Sequence, residues 1–391
     1  MEEEVKRTPG SRLSSSCGDP STHLLALDEM ERFDPLLVDV YIVSMKYRQI
    51  PNTGVFISEL CLGAMTFGGG DGIWGMIGNL GQKEVDELVH ASLDAGINFF
   101  DTANVYGFGA SETLLGKALG VRRKDVILTT KVRGRMGAGP NEIGLSRVHI
   151  MRSVDESLKR LGTDYIDLYQ IHGYDPVADF EDIMRTLNDL VRSGKVRYIG
   201  ASNLAAWQLM KSLGIAMREG LEAFRTIQSY YSLAGRELER EVIPLLKDQN
   251  VGLLVWSPLA GGFLSGKYTR DNQNAEGRRA KFDFPPLDKE KAFRIIDVLA
   301  LIGKERDCSP ARVALAWLLA QSAVTSVIIG AKRKDQLEDN LKAGDLALSP
   351  EELAKLDEVS MLSPEYPGWM FATQLSERMP GTKRTIPVRN N

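Results

Sequence analysis

Cysteine is scarce in this chain: Cys17, Cys61 and Cys308 are the only three in 391 residues. They stand far apart with no metal-type spacing, so they read as free thiols in a reducing compartment, not as a disulfide framework or a metal cage. No apolar run approaches the roughly 20 residues needed to span a bilayer. The amino terminus, Met1-Glu2-Glu3-Glu4, lacks a basic start followed by an apolar stretch and is too acidic for a typical organelle transit peptide. Together these absences favour a cytoplasmic protein. There is also no long run of Lys or Arg. The 48 basic and 52 acidic residues leave a net charge of −4, which argues against nucleic acid as a partner. Finally, no Gly-x-Gly-x-x-Gly follows the first strand-like run, which disfavours a Rossmann dinucleotide domain.

What the chain does contain is an ordinary globular balance, with 43% apolar and 26% charged residues. At this length a large core can be buried without staples. Residues 1–44 differ from the rest. Thr8 to Ser21 is rich in Ser, Gly and Pro, a composition that favours disorder. Leu24 to Val43 is more apolar and suits loose docking. Met45 opens a new pattern that reads like a natural start, so an upstream start codon and a regulatory extension both remain open. We expect a main body over 45–361 and a tail over 362–391.

From Ile57 onward, short apolar runs alternate with longer amphipathic ones. The expected strands are Leu60–Ala64, Asn98–Thr102, Val126–Val132, Tyr165–His172, Val196–Ser202, Thr226–Ser229, Gly252–Ser257 and Thr325–Ile329. Most are apolar and partly β-branched or aromatic, as strands buried on both faces should be. Helical spacing marks Ser146–Leu161, Phe180–Ser193 and Glu239–Asp248 between them. Gly96 and Asn250 close two helical segments as left-handed caps. Ser349-Pro350-Glu351-Glu352 opens a further helix. Eight strand-and-helix units predict an α/β fold, a closed parallel (β/α)₈ TIM barrel. Tyr47–Ile50 and Val55–Ile57, joined through Thr53-Gly54, suggest an N-terminal β-hairpin closing its bottom.

In such barrels, catalytic residues sit at the carboxyl ends of the strands. The second strand runs out through Asp101 to Tyr106, the third ends at Lys131-Val132, and the fourth ends at His172. An acid, a phenol, an amine and an imidazole thus meet on one face. A single such His, or a lone Lys–Asp pair, is usually structural. All four on three successive strands are much harder to explain that way. Their chemistry coheres. A free phenol titrates near pH 10, and a nearby ammonium favours the phenolate, so Lys131 makes Tyr106 a better acid. Asp101 holds Lys131 charged, and His172 orients a carbonyl oxygen. Such a set needs a hydride donor.

Asp101-Thr102-Ala103-x-x-Tyr106-Gly107, followed by Ser111-Glu112-x-x-Leu115-Gly116, resembles the first signature of the aldo-keto reductases. The similarity runs from about Met45 to Val359 and favours the bacterial and fungal branch with aryl-alcohol dehydrogenase-like enzymes. Lys131 and His172 fall where that family completes its tetrad. The resemblance implies reduction of an aldehyde or ketone with NADPH/NADP⁺, Tyr106 giving the proton. It places Ser202, Asn203 and Gln228 on the nicotinamide carboxamide, Trp256 against its ring, and Thr66 and Asp101 beside the cofactor. Ser257, Pro258, Leu259, Gly261 and Lys267 would form the pyrophosphate loop. Gly330, Lys332, Gln336, Asp339 and Asn340 would hold the adenosine and its 2′-phosphate. One departure is Gln336, where some branches carry Arg.

Phe67, Trp74 and Trp369, with loop residues near Met136, are expected to line a pocket with Tyr106 and His172. The long segments Thr66–Gln82, Arg133–Leu145 and 362–391 would set substrate choice. The expected partner is a small carbonyl or alcohol, with no metal, nucleic acid or membrane; oligomeric state stays open. The alternative is an NADP(H)-sensing regulatory protein. Potassium-channel β-subunits resemble this family but depart from it at the position of His172.

Overall fold

The computed structural model describes residues 45–70, 72–272, 278–371 and 374. The extension 1–44, Cys17 and most of the tail lie outside them. The described chain opens with an antiparallel hairpin, β1 (Tyr47–Gln49) and β2 (Phe56–Ser58). Eight parallel strands then close a barrel in chain order: β3 (Leu60–Gly63), β4 (Phe99–Asp101), β5 (Ile127–Val132), β6 (Ile166–Ile171), β7 (Val196–Ser202), β8 (Thr226–Tyr230), β9 (Gly252–Trp256) and β10 (Val324–Ile329). β10 pairs back onto β3 through Val327, Ile328 and Ile329. Every residue of β6 and β10 is buried, the reason these strands read as largely apolar runs, with Asp167, Gln170, Thr325 and Ser326 as their polar members.

Helices clothe the barrel. α1 (Ile73–Ile77) and α2 (Gln82–Asp94) follow β3, and α3 (Ala110–Leu119) to α7 (Val242–Gln249) follow the next five strands singly. Of these, α4 spans Arg147–Leu161, α5 Phe180–Arg192 and α6 Ala206–Glu219. Three helices, α8 (Arg278–Lys281), α9 (Lys289–Glu305) and α10 (Pro310–Leu319), separate β9 from β10. α11 (Lys334–Leu341) and α12 (Pro350–Ser360) complete the chain. Ser349 and Glu352 form a reciprocal capping box at α12, with Pro350 at its first position, as Ser-Pro-Glu-Glu predicts.

The hairpin does close the bottom: Ile50 and Ile57 are buried with Cys61, Phe99, Leu168, Leu254 and Ile328 in an apolar cluster of their own. Its strands sit one residue from the expected positions. The left-handed turn residue is Asn52 (φ 57°), and the Ile50 amide donates to the Val55 carbonyl inside the turn. Several barrel strands are also a residue shorter at an end than expected. The helix expected over Glu239–Asp248 begins later, at Val242. A start at Val242 puts Pro244 in the first turn, where its missing N–H costs nothing. Glu239 belongs instead to a 3₁₀ turn, its carboxylate accepting from Arg236 and Tyr231. Cys61 and Cys308 are free thiols.

Candidate active site

The Asp101-to-Gly116 segment shows how sequence builds this site. Thr102 and Ser111 share a hydrogen bond of 2.9 Å, and Ser111 Oγ donates to the Ala64 carbonyl at 2.7 Å. Glu112, fully buried, accepts from Thr130 and from Arg160 Nε, both at 2.6 Å. These bonds clamp α3 to β3, β5 and α4. Gly116 lets the helices touch, since a Cβ there would lie 2.4 Å from the Leu161 carbonyl oxygen. The Ser-Glu half of the motif is therefore scaffold. It fixes the strand end that carries Asp101 and Tyr106.

Lys131 is completely buried at the carboxyl end of β5. Its Nζ donates to Asp101 Oδ2 at 2.6 Å, to the Thr102 carbonyl at 2.8 Å, and reaches the Tyr106 hydroxyl at 3.5 Å. Asp101 Oδ1 accepts from Gln228 Nε2 at 2.7 Å and from Gln170 Nε2 at 3.5 Å. Burial alone would pull the ammonium down, but the Asp101 carboxylate and Tyr106 hold Lys131 above its ordinary value. The amine is charged throughout the neutral range. Tyr106 is mostly buried, with Trp74 of α1 5.5 Å from its ring and His172 5.6 Å away, edge-on.

His172 follows β6 and its amide donates to the Val132 carbonyl at 2.9 Å. Desolvation, followed by the positive charges of Lys131 and Arg133, pushes its imidazole from 6.5 down to about 3. The ring is neutral at physiological pH. Between these two values the unfolded chain binds the extra proton, so this contribution to stability is complete above pH 6.5 and fades as pH falls toward 3. The expected kcat/KM profile therefore has no inflection near pH 6.5. An acid limb there that disappears in His172→Gln would contradict the neutral assignment.

The polar ends of β7 to β9 are linked. Ser202 Oγ donates to the Gln228 carbonyl at 2.9 Å, and Asn203 Nδ2 donates to Ser202 Oγ at 2.9 Å and to the His172 carbonyl at 3.4 Å. Trp256 Nε1 donates to Asn203 Oδ1 at 2.9 Å. The Trp256 indole lies parallel to Phe284, 5.8 Å away, with Tyr230 tilted at 5.2 Å. Within the loop after β9, the Gly261 amide donates to Ser257 Oγ, and those of Ala260 and Gly262 to backbone carbonyls. Beyond it Lys267 is exposed. Thr66 Oγ1 donates to the Ala331 carbonyl at 3.2 Å, tying the first loop to the last strand end. Gln336 accepts from the Lys332 amide at 3.0 Å, and Asn340 is buried.

Three expected positions lie elsewhere. Phe67 is buried in the main apolar core and 2% exposed, because its bridge to Leu80 folds the segment inward. The Asp339 carboxylate is taken by Ser309 Oγ and Arg312, both at 2.5 Å, which fastens α11 to α10. Trp369 is largely exposed and 6.2 Å from Tyr366. The described start of the tail follows an ion pair between Arg240 and Glu365 at 2.6 Å. There it borders a cavity of about 1130 Å³ beside the barrel that none of the four tetrad side chains lines.

Sequence reasoning also missed residues. Gln170 supports Asp101 from β6, and Arg133 reaches the mouth beside His172. Both follow the alternation that turns every second strand residue inward: Gln170 precedes His172 by two, and Arg133 follows Lys131 by two.

The profile described as "Aldo/keto reductase family" matches residues 59–361. The chain belongs to the aldo/keto reductase family. It is similar to an uncharacterised oxidoreductase of Bacillus subtilis, 38% identical over 81% of this chain and 96% of that one. It is similar to the versiconal hemiacetal acetate reductase of Aspergillus parasiticus, 35% identical over 83% of this chain and 99% of the relative. It is similar too to a rice protein named "Probable voltage-gated potassium channel subunit beta", 36% identical over 82% of this chain and 98% of that protein. As an aldo/keto reductase family member, the chain is an oxidoreductase of carbonyl compounds built on a TIM barrel. Among its described residues, no helix is long and apolar enough to cross a membrane.

Proposed function

We propose that this protein reduces an aldehyde or ketone to the alcohol with NADPH, reversibly, and that Tyr106 donates the proton. The observation that carries this reading is the buried chain from Asp101 through Lys131 to the Tyr106 hydroxyl at the mouth of the barrel. The chemistry that NADPH would supply at this site is the hydride for the carbonyl carbon. Tyr106 gives its hydroxyl proton to the carbonyl oxygen, and the Lys131 ammonium stabilises the charge left on the phenol oxygen. Asp101 keeps that ammonium in place. His172, neutral, hydrogen-bonds the substrate oxygen and sets its orientation.

The residues fit the cofactor. A Cβ placed on Gly262 or on Gly330 would meet nothing within 4 Å, so both turns leave room for a bulky ligand. Lys267 and Lys332 are exposed on the same arc of strand ends and bring the positive charge that phosphates need. Ser202, Asn203 and Gln228 would hold the carboxamide, and Trp256 the ring. Ser257, Pro258, Leu259, Gly261 and Lys267 would take the pyrophosphate, with Thr66 closing from the first loop. Gly330, Lys332, Gln336 and Asn340 would take the adenosine 2′-phosphate end.

The rice relative's name favours a second reading, an NADP(H)-sensing regulatory subunit. The intact tetrad with His172 favours the enzyme. The test is consumption of NADPH, with NADH in parallel, against a panel of aldehydes and ketones. Turnover with NADPH preferred is expected. Tight NADPH binding, read by tryptophan fluorescence, without turnover of any carbonyl would transfer the assignment to the regulatory reading.

A further inference from the structure

Arg133 is a cation at the mouth, beside the tetrad, that belongs to none of its hydrogen bonds. It lies one residue past the Val132–Ile171 register pair, so it faces His172 across the ends of β5 and β6. Its side chain runs over the next turn: a Cβ built on Gly173 would lie 3.6 Å from Arg133 Cδ and 3.7 Å from its Nε. Nε donates to the Tyr174 carbonyl at 3.0 Å. Among the described residues, neither terminal amino group of the guanidinium has a hydrogen bond or a carboxylate partner. Arg123, Arg147, Arg160, Arg236 and Arg312 are all paired with acids. Arg133 also stands at φ 151°, a region residues with a Cβ rarely occupy, and such strain persists where the surrounding structure imposes it.

We propose that Arg133 is a specificity-determining residue that receives a carboxylate on the substrate, so that the preferred substrates are carboxylated aldehydes with a planar body. The inference rests on the reductase reading and names the substrate class of that same site. Nε anchors the guanidinium plane and leaves the two terminal groups as a fork matched to a carboxylate. His172 holds the carbonyl oxygen on the neighbouring strand end. The separation between the two functions is therefore on the order of one to two strand spacings, about 5–10 Å. That suits an aromatic ring carrying the aldehyde and the acid at opposite ends, with Trp74 beside Tyr106 as a flat wall. The charge of Arg133 also helps keep His172 neutral.

The test compares 4-carboxybenzaldehyde with its neutral methyl ester, methyl 4-formylbenzoate, as substrates of the full-length protein. The wild type is expected to favour the acid in kcat/KM by about tenfold or more, the scale of a charge-assisted fork. Arg133→Gln should abolish that preference, mostly through KM, and leave ester turnover within about threefold. Arg133→Lys should retain part of it. Ester turnover reports intact folding in each variant. No acid preference in the wild type, or an equal loss on both substrates in Arg133→Gln, overturns the proposal. If neither aldehyde is consumed, the wider carbonyl panel decides the reductase reading separately. Benzoate titration then decides the subsite: binding lost in Arg133→Gln upholds it, and equal binding to both proteins overturns it.

Discussion

Tyr106→Phe is expected to lower carbonyl turnover by about 10² to 10⁴, the range a positioned general acid contributes, while NADPH binding stays close to wild type. The change removes one oxygen and nothing else. The ring keeps its place against Trp74 and His172, because those contacts involve the aromatic faces and edges. Lys131 loses only its longest partner, at 3.5 Å, and keeps Asp101 and the Thr102 carbonyl. A fall in kcat without loss of cofactor affinity thus isolates proton donation. If turnover survives within a few-fold, water or His172 delivers the proton, and the assignment of Tyr106 fails.

Lys131→Met is expected to fail in two separable ways. Turnover should collapse along with that of Tyr106→Phe, because no ammonium remains beside the phenol. Stability should also fall by about 3–5 kcal/mol, the cost of breaking a buried ion pair from one side. Lys131 is completely buried, so water cannot replace the lost partner of Asp101. Gln228 and Gln170 still donate to that carboxylate, which keeps the loss near the lower figure. The double variant Lys131→Met with Asp101→Asn removes the stranded charge and should regain most of the stability with none of the activity. Thermal unfolding followed by circular dichroism, beside NADPH oxidation, reads both. Recovery of activity in the double variant would show the pair to be scaffold only.

Much of this was legible in the sequence because the physics is local. A strand buried on both faces must be a short apolar run, so β3 to β10 could be placed within a residue or two. Ser349-Pro350-Glu351-Glu352 announces a helix start because its own side chains satisfy the free amides of the first turn. The alignment of Asp101, Tyr106, Lys131 and His172 follows from barrel geometry: consecutive strand ends share one face. The start of α7 was less legible, since its limit is set by Pro244 and by the capture of Glu239 by Arg236 and Tyr231, partners that only packing identifies.

The sequence by itself determined the barrel, the hairpin that plugs it and the identity of the four polar groups at its mouth, because periodicity and strand-end position are encoded over a few residues. The tertiary structure alone decided which partners those groups take. Gln228, 127 positions away, bonds Asp101; Ser309 and Arg312 claim Asp339; and the core, not the mouth, takes Phe67. It also set the neutral state of His172 and left the Arg133 guanidinium open beside it. Burial, hydrogen-bond competition and local charge depend on residues brought together from distant positions, and no window of sequence contains them.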